Sequence, residues 1–99
     1  TIVGPDTFMM LGDMVPSDEQ ECIDGFTAWA KDSQKSSLVS ISDIEETYMG
    51  WEIGNKGVRK DYVLLSNDIP ANSHEVVNVA FQNKFPSDHL PVFCRIRLN

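Results

Sequence analysis

Ser87-Asp88-His89-Leu90-Pro91-Val92, followed by Phe93-Cys94-Arg95-Ile96-Arg97-Leu98, is the stretch on which the reading of the fold turns. The alternation after Pro91 predicts a closing strand over 90–98, with an acid and an imidazole side by side at its mouth. Consecutive strand residues point to opposite faces. Asp88 and His89 are therefore badly placed to pair with each other and well placed to serve two partners. That layout suits phosphoryl transfer, with one group near a metal and the other on a phosphate oxygen.

Working outward, Asp61 to Ser66 predicts a second strand, followed by a loop through Pro70. Glu75 to Phe81 alternates as a strand, and Asn83 to Ser87 reads as a loop. Upstream, Asp6 to Leu11 is an apolar run that ends in Gly12, a buried strand by pattern. Pro16-Ser17-Asp18 then opens a helix, with Ser17 as N-cap and Gln20 three residues on. Cys22, Ile23, Phe26, Trp29 and Ala30 give that helix one apolar face. Its acids from Asp18 to Asp24 sit at the N-terminus and on the exposed face, as the dipole favours. Asp32 to Ser37 reads as a polar loop, Ser40 to Glu46 as a short helix or turn, Thr47 to Trp51 as a candidate strand, and Gly54 to Gly57 as a turn.

The expectation is an α+β domain, mainly one mixed or antiparallel sheet covered by one long helix. Phe8 to Leu11 and Val63 to Leu65 carry apolar residues on both faces, and a single helix layer leaves one such face bare. The chain is therefore expected to pack against something else, a missing half or a second copy.

Composition narrows the function classes. At 99 residues there is room for one domain with a modest core. The net charge of -7, with a pI near 4.5, argues against a broad basic nucleic-acid surface. It leaves only the local cluster Lys56, Arg59 and Lys60, which reads equally as a phosphate-backbone contact or a solvated loop. No apolar run is long enough to span a membrane, and no signal-peptide pattern opens the chain. It begins on Thr1-Ile2-Val3 without an initiator Met, so a processed, truncated or excised piece is expected. Cys22 and Cys94 are too few and too far apart for a zinc motif. One disulfide is an option; two unpaired, partly buried thiols are the expectation, and a cytoplasmic or nuclear location goes with them.

Three segments together resemble the C-terminal part of the endonuclease/exonuclease/phosphatase superfamily, metal-dependent phosphodiesterases and phosphatases on a four-layer α/β/β/α sandwich. Ser87 to Val92 resembles that family's last motif. Asn55-Lys56-Gly57-Val58-Arg59-Lys60-Asp61-Tyr62-Val63-Leu64-Leu65-Ser66 resembles the segment before it, as seen in abasic-site endonucleases. Phe8-Met9-Met10-Leu11-Gly12-Asp13 resembles the strand that delivers its Gly-Asp-aromatic-Asn motif. The order and spacing agree over nearly all of 1–99.

The resemblance implies roles. His89 contacts the scissile phosphate, Asp61 holds that ring and raises its basicity, and Asp13 orients or deprotonates the attacking water or protonates the leaving oxygen. Asp88 lies on the metal side, where Mg²⁺ or Mn²⁺ neutralises phosphate charge. It also implies a phosphodiester substrate, with nucleic acid among the candidates. Two departures stand out. Val15 occupies the place of the motif's Asn, and losing such a donor costs about 10²–10³ in rate. The family's metal-binding Glu and an early Asn belong to an N-terminal half for which 1–99 has no segment.

Plainer readings stand beside these. Asp88 is a turn cap, Asp61 an edge acid, Asp13 a turn residue, and His74 is exposed and inert. Phe26 and Trp29 are core, and Tyr48 and Trp51 pack rather than bind. Three functions follow: an incomplete metal-dependent phosphodiesterase or nuclease, a non-catalytic binding relic of the same fold, or an unrelated small α+β interaction domain. Proximity of Asp61 and His89 separates the first two from the third.

Overall fold

The computed structural model describes residues 6–14, 24–25, 27–42, 44–51 and 57–98. Val15, Cys22, Ile23, Phe26, Lys56 and the predicted N-cap Ser17 lie outside them. The strands are β1 (Met9–Asp13), β2 (Lys31–Asp32), β3 (Val39–Ser40), β4 (Asp61–Leu65), β5 (Ala71–Val76) and β6 (Val92–Ile96). One helical turn, α1 (Ser33–Ser36), joins β2 to β3.

β4 is the spine of the molecule. Its Asp-Tyr-Val-Leu-Leu run is apolar on both faces, which demands cover on both sides. It pairs antiparallel with β1 and β2 in the order β1-β4-β2. A second sheet, ordered β3-β5-β6, joins β3 parallel to β5 and β5 antiparallel to β6. Val63 and Leu65 face this second sheet and pack with Ile69, Ala71, Val92, Cys94 and Ile96. Tyr62 and Leu64 project the other way, onto Ala30, Phe8, Met10 and Met14.

One sheet under one long helix is therefore not what forms. There are two small sheets, and among the described residues no long helix. β4's second face is covered by another sheet, which the sequence pattern did not reveal. β2 and β3 are two residues each, too short to show a period. β5 reads Ala-Asn-Ser-His-Glu-Val, with a register break between Ala71 and Ser73 that disrupts the alternation. The strand forms there and shares only Glu75 and Val76 with the expected strand over 75–81. Of the predicted helix, Asp24, Gly25 and Thr27 are helical, and a turn follows at Ala28 and Trp29. Trp29 is 51% exposed, although its ring meets Phe8 at 5.4 Å.

Asp32, expected in a loop, anchors α1. Its carboxylate accepts from the Gln34 amide at 3.0 Å as N-cap and takes both Arg59 guanidinium nitrogens at 2.6 and 2.7 Å. The guanidinium lies 4.0 Å over the Tyr62 ring, so Arg59 is neither a phosphate contact nor solvated. Phe81 bridges to Lys84 across Gln82 and Asn83, whose φ angles of 51° and 64° make a mirror-image hairpin turn. Cys94 is a half-buried free thiol.

Candidate functional site

Three separate segments deliver side chains to one end of the sandwich. Asp61 is the first residue of β4, and the antiparallel register sets it directly opposite Asp13, the last residue of β1. Gly12, just before Asp13, holds φ at +147°, a backbone state that side chains rarely adopt. His89 arrives on the loop that leads into β6. Its Nδ1 lies 2.6 Å from Asp61 Oδ2, and its Nε2 lies 3.9 Å from Asp13 Oδ2. Donor atoms of Asp13, Asp61 and His89 all fall within 4.8 Å of one another.

The electrostatics of this cluster are mutual. Two carboxylates opposite each other on paired strands repel. The imidazole lies against both, and as imidazolium it compensates them. The Asp61 hydrogen bond pushes the His89 pKa above its ordinary 6.5; partial burial opposes, and the charges of Asp61, Asp88 and Asp13 reinforce the rise. With Nδ1–H donated to Asp61, Nε2–H is left facing Asp13 and solvent.

The frame around the ring is backbone. Tyr48 makes isolated antiparallel bridges to Val58 and to His89, and its ring stands edge-on to the imidazole at 5.1 Å. The Met49 and Gly50 amides donate to the Asp88 carbonyl at 2.9 and 3.2 Å. The His89 amide donates to Ser87 Oγ at 3.2 Å. Lys60 rests on the Tyr48 ring, 4.6 Å from its centroid.

The expected site residues thus divide. Asp13, Asp61 and His89 come together. Asp88 stands outside that cluster, half-buried next door and sensed by His89 as charge. His74 is not exposed. It is 1% accessible, bonded through Nδ1 to Ser33 Oγ at 2.8 Å, and burial lowers its pKa. Trp51 is 56% exposed, while Tyr48 touches the site ring. Thr47, never singled out by pattern, is buried behind it. The carboxylates of Asp13 and Asp88 are hard oxygen donors of the kind that Mg²⁺ and Mn²⁺ take, whereas one oxygen of Asp61 is committed to His89.

No protein-family model matches the chain, and no curated protein matches it by sequence. Solved structures do match. A mannosyl-6-phosphatase of Bacteroides thetaiotaomicron VPI-5482 superposes with a TM-score of 0.78 at 16% identity, covering 91% of this chain and 37% of that one. A functionally unknown conserved protein of Enterococcus faecalis V583 gives 0.77 at 15% identity, over 90% and 35%. An endonuclease/exonuclease/phosphatase family protein of Bacteroides thetaiotaomicron gives 0.73 at 18% identity, over 89% and 36%. The chain has a fold found within that family's structures, and it spans little more than a third of their length.

Proposed function

We propose that 1–99 is the C-terminal portion of an endonuclease/exonuclease/phosphatase domain and serves metal-dependent phosphodiester hydrolysis of the nuclease or phosphatase type. The observation that carries this reading is the 2.6 Å contact of Asp61 with His89, with Asp13 at 3.9 Å on the ring's other nitrogen. In this reading His89 donates from Nε2 to a phosphate oxygen and stabilises the charge that builds there in the transition state. Asp61 fixes the ring's tautomer and keeps it protonated. Asp13 orients or deprotonates the attacking water, or protonates the leaving oxygen. Asp88, with ligands from the remainder of the domain, would hold Mg²⁺ or Mn²⁺, which supplies charge neutralisation on the phosphate.

The portion reading has its own support. β1 and β6 are each an edge strand of their sheet. Met9 and Leu11 lie on the same face of their sheet as Leu65 and Val63, toward the second sheet, yet they are 48% and 66% exposed. Apolar side chains aimed inward without an opposing strand are what remains where further strands belong.

The test is hydrolysis of a generic phosphodiester, of nicked or abasic duplex DNA and of a sugar 6-phosphate, with Mg²⁺ or Mn²⁺ and with EDTA. The sugar phosphate is included because one structural neighbour is a mannosyl-6-phosphatase. Expected is EDTA-sensitive turnover that falls by at least about 10²-fold in His89→Ala. Turnover indifferent to EDTA or to His89→Ala sinks the catalytic reading. Turnover absent from every sample favours the second reading, a non-catalytic binding relic of the same fold.

A further inference from the structure

Thr47 belongs to no named strand and carries no charge, yet it is completely buried, with 0% accessibility. Each of its polar groups is committed. Oγ1 accepts the backbone N–H of Lys60 at 3.0 Å and that of Asp61 at 2.9 Å. Its carbonyl accepts the Leu90 N–H at 2.6 Å, and its own amide donates to the Val58 carbonyl at 3.1 Å. One residue therefore grips the backbone of Asp61 and the backbone next to His89.

That grip matters because the two named sheets do not pair Asp61's strand with the segment that carries His89. Asp61 and His89 are 28 residues apart. Asp61 opens β4 in one sheet, His89 precedes β6 in the other, and β4 and β6 are not paired. The spacing between the two side chains is set where the sheets are stitched together, and 47–50 is the stitch. Tyr48 bridges to Val58 and His89, and Met49 and Gly50 hold Asp88, all downstream of the residue that fixes Asp61. An apolar isostere at 47 would leave two adjacent part-buried amides without their acceptor.

We propose that Thr47 is a positioning residue, whose hydroxyl and carbonyl together set the registry between Asp61 and His89. The inference deepens the functional reading and rests on it for its consequence. The experiment uses the uniformly ¹⁵N-labelled 99-residue chain, which reports both the histidine ring nitrogens and the backbone amides. A hydrogen bond from Nδ1–H to a carboxylate gives a strongly downfield proton resonance, identified here by its disappearance in Asp61→Asn.

In Thr47→Val this resonance is expected to vanish by exchange, while the amides of Leu64, Leu65 and Ile69 keep their dispersion. Thr47→Ser, which retains Oγ1, keeps the resonance. A folded Thr47→Val with the Nδ1–H unchanged overturns the proposal, as does its loss in Thr47→Ser. If the parent shows no Asp61-dependent resonance, the pairing of Asp61 with His89 fails, and the functional reading falls first. Should Thr47→Val not fold, amide exchange in the parent decides. Lys60, Asp61 and Leu90 are expected to exchange together, at least about tenfold slower than unprotected amides. Free exchange at Lys60 and Asp61 overturns the assignment.

Discussion

His89 and His74 stand in opposite electrostatic settings, and pH separates them. An unfolded histidine titrates near 6.5. Asp61 raises the folded His89 above that value, so its contribution to stability is complete below about 6.5 and is lost as pH rises through the folded value. His74 runs the other way. It is buried against Ser33 Oγ, burial is the largest cause of its depressed pKa, Arg59 adds to it, and Asp32 and Glu45 oppose. The unfolded chain takes up that proton first, so stability falls as pH drops below about 6.5 toward the depressed folded value. Denaturation midpoints across neutral pH should decline on both sides in the parent. Asp61→Asn should remove the alkaline decline and bring the His89 midpoint back toward 6.5 by NMR titration. An unmoved midpoint would count against the pair. The sequence pointed to His89 through its neighbours, but His74 sits between Ser73 and Glu75, which look like surface, and nothing local signals that its ring turns inward.

At the scale of elements, two joints carry more than their length suggests. Asp32 is at once the N-cap of α1 and the partner of Arg59, with its side chain 4% and that of Arg59 12% exposed. Breaking a buried pair from one side strands the other charge, so Asp32→Ala should cost about 3–5 kcal/mol in chemical denaturation. A loss of well under 1 kcal/mol would mean the pair is solvated. Gly57 is the second joint. A Cβ there would stand 2.9 Å from the Tyr48 carbonyl, with the Met49 sulfur closer still. Gly57→Ala should therefore displace the Tyr48 strip and cost roughly 1–3 kcal/mol. Wild-type stability and unshifted Tyr48 resonances would show that the strip yields. β4 was readable to within a residue because five consecutive positions carry its signal. β2 and β3 were not, because two residues hold no period, and of the candidate strand over 47–51 only an isolated bridge residue, Tyr48, pairs, with partners the pattern could not name.

Over the whole molecule, burial is uneven. Leu64 is 0% exposed at the centre of β4, whereas Leu11, two strand positions before Asp13, is 66% exposed on the open side. In the isolated chain Leu64→Ala should cost about 2–5 kcal/mol. Leu11→Ser should stay within about 0.5 kcal/mol of the parent. Equal losses in urea unfolding would mean that β1's inward face is packed after all. The exposed Met9 and Leu11 answer the expectation of an outside partner only in kind: β4's two faces are closed within the chain, and the bare surface lies at the edge.

Read alone, the sequence determined the apolar β4, the loop before Asp88-His89 and the strand after them, while the family resemblance supplied Asp13 and Asp61 as companions of His89. The strands and the loop follow from residue type and local periodicity, which need no knowledge of distant contacts. The tertiary structure decided that a second sheet closes β4's inner face, with no long helix among the described residues, that Arg59 and His74 turn inward, and that Thr47 ties Asp61 to His89. Each depends on pairs separated by tens of residues, where the free energy comes from burial and from backbone groups finding partners across the fold.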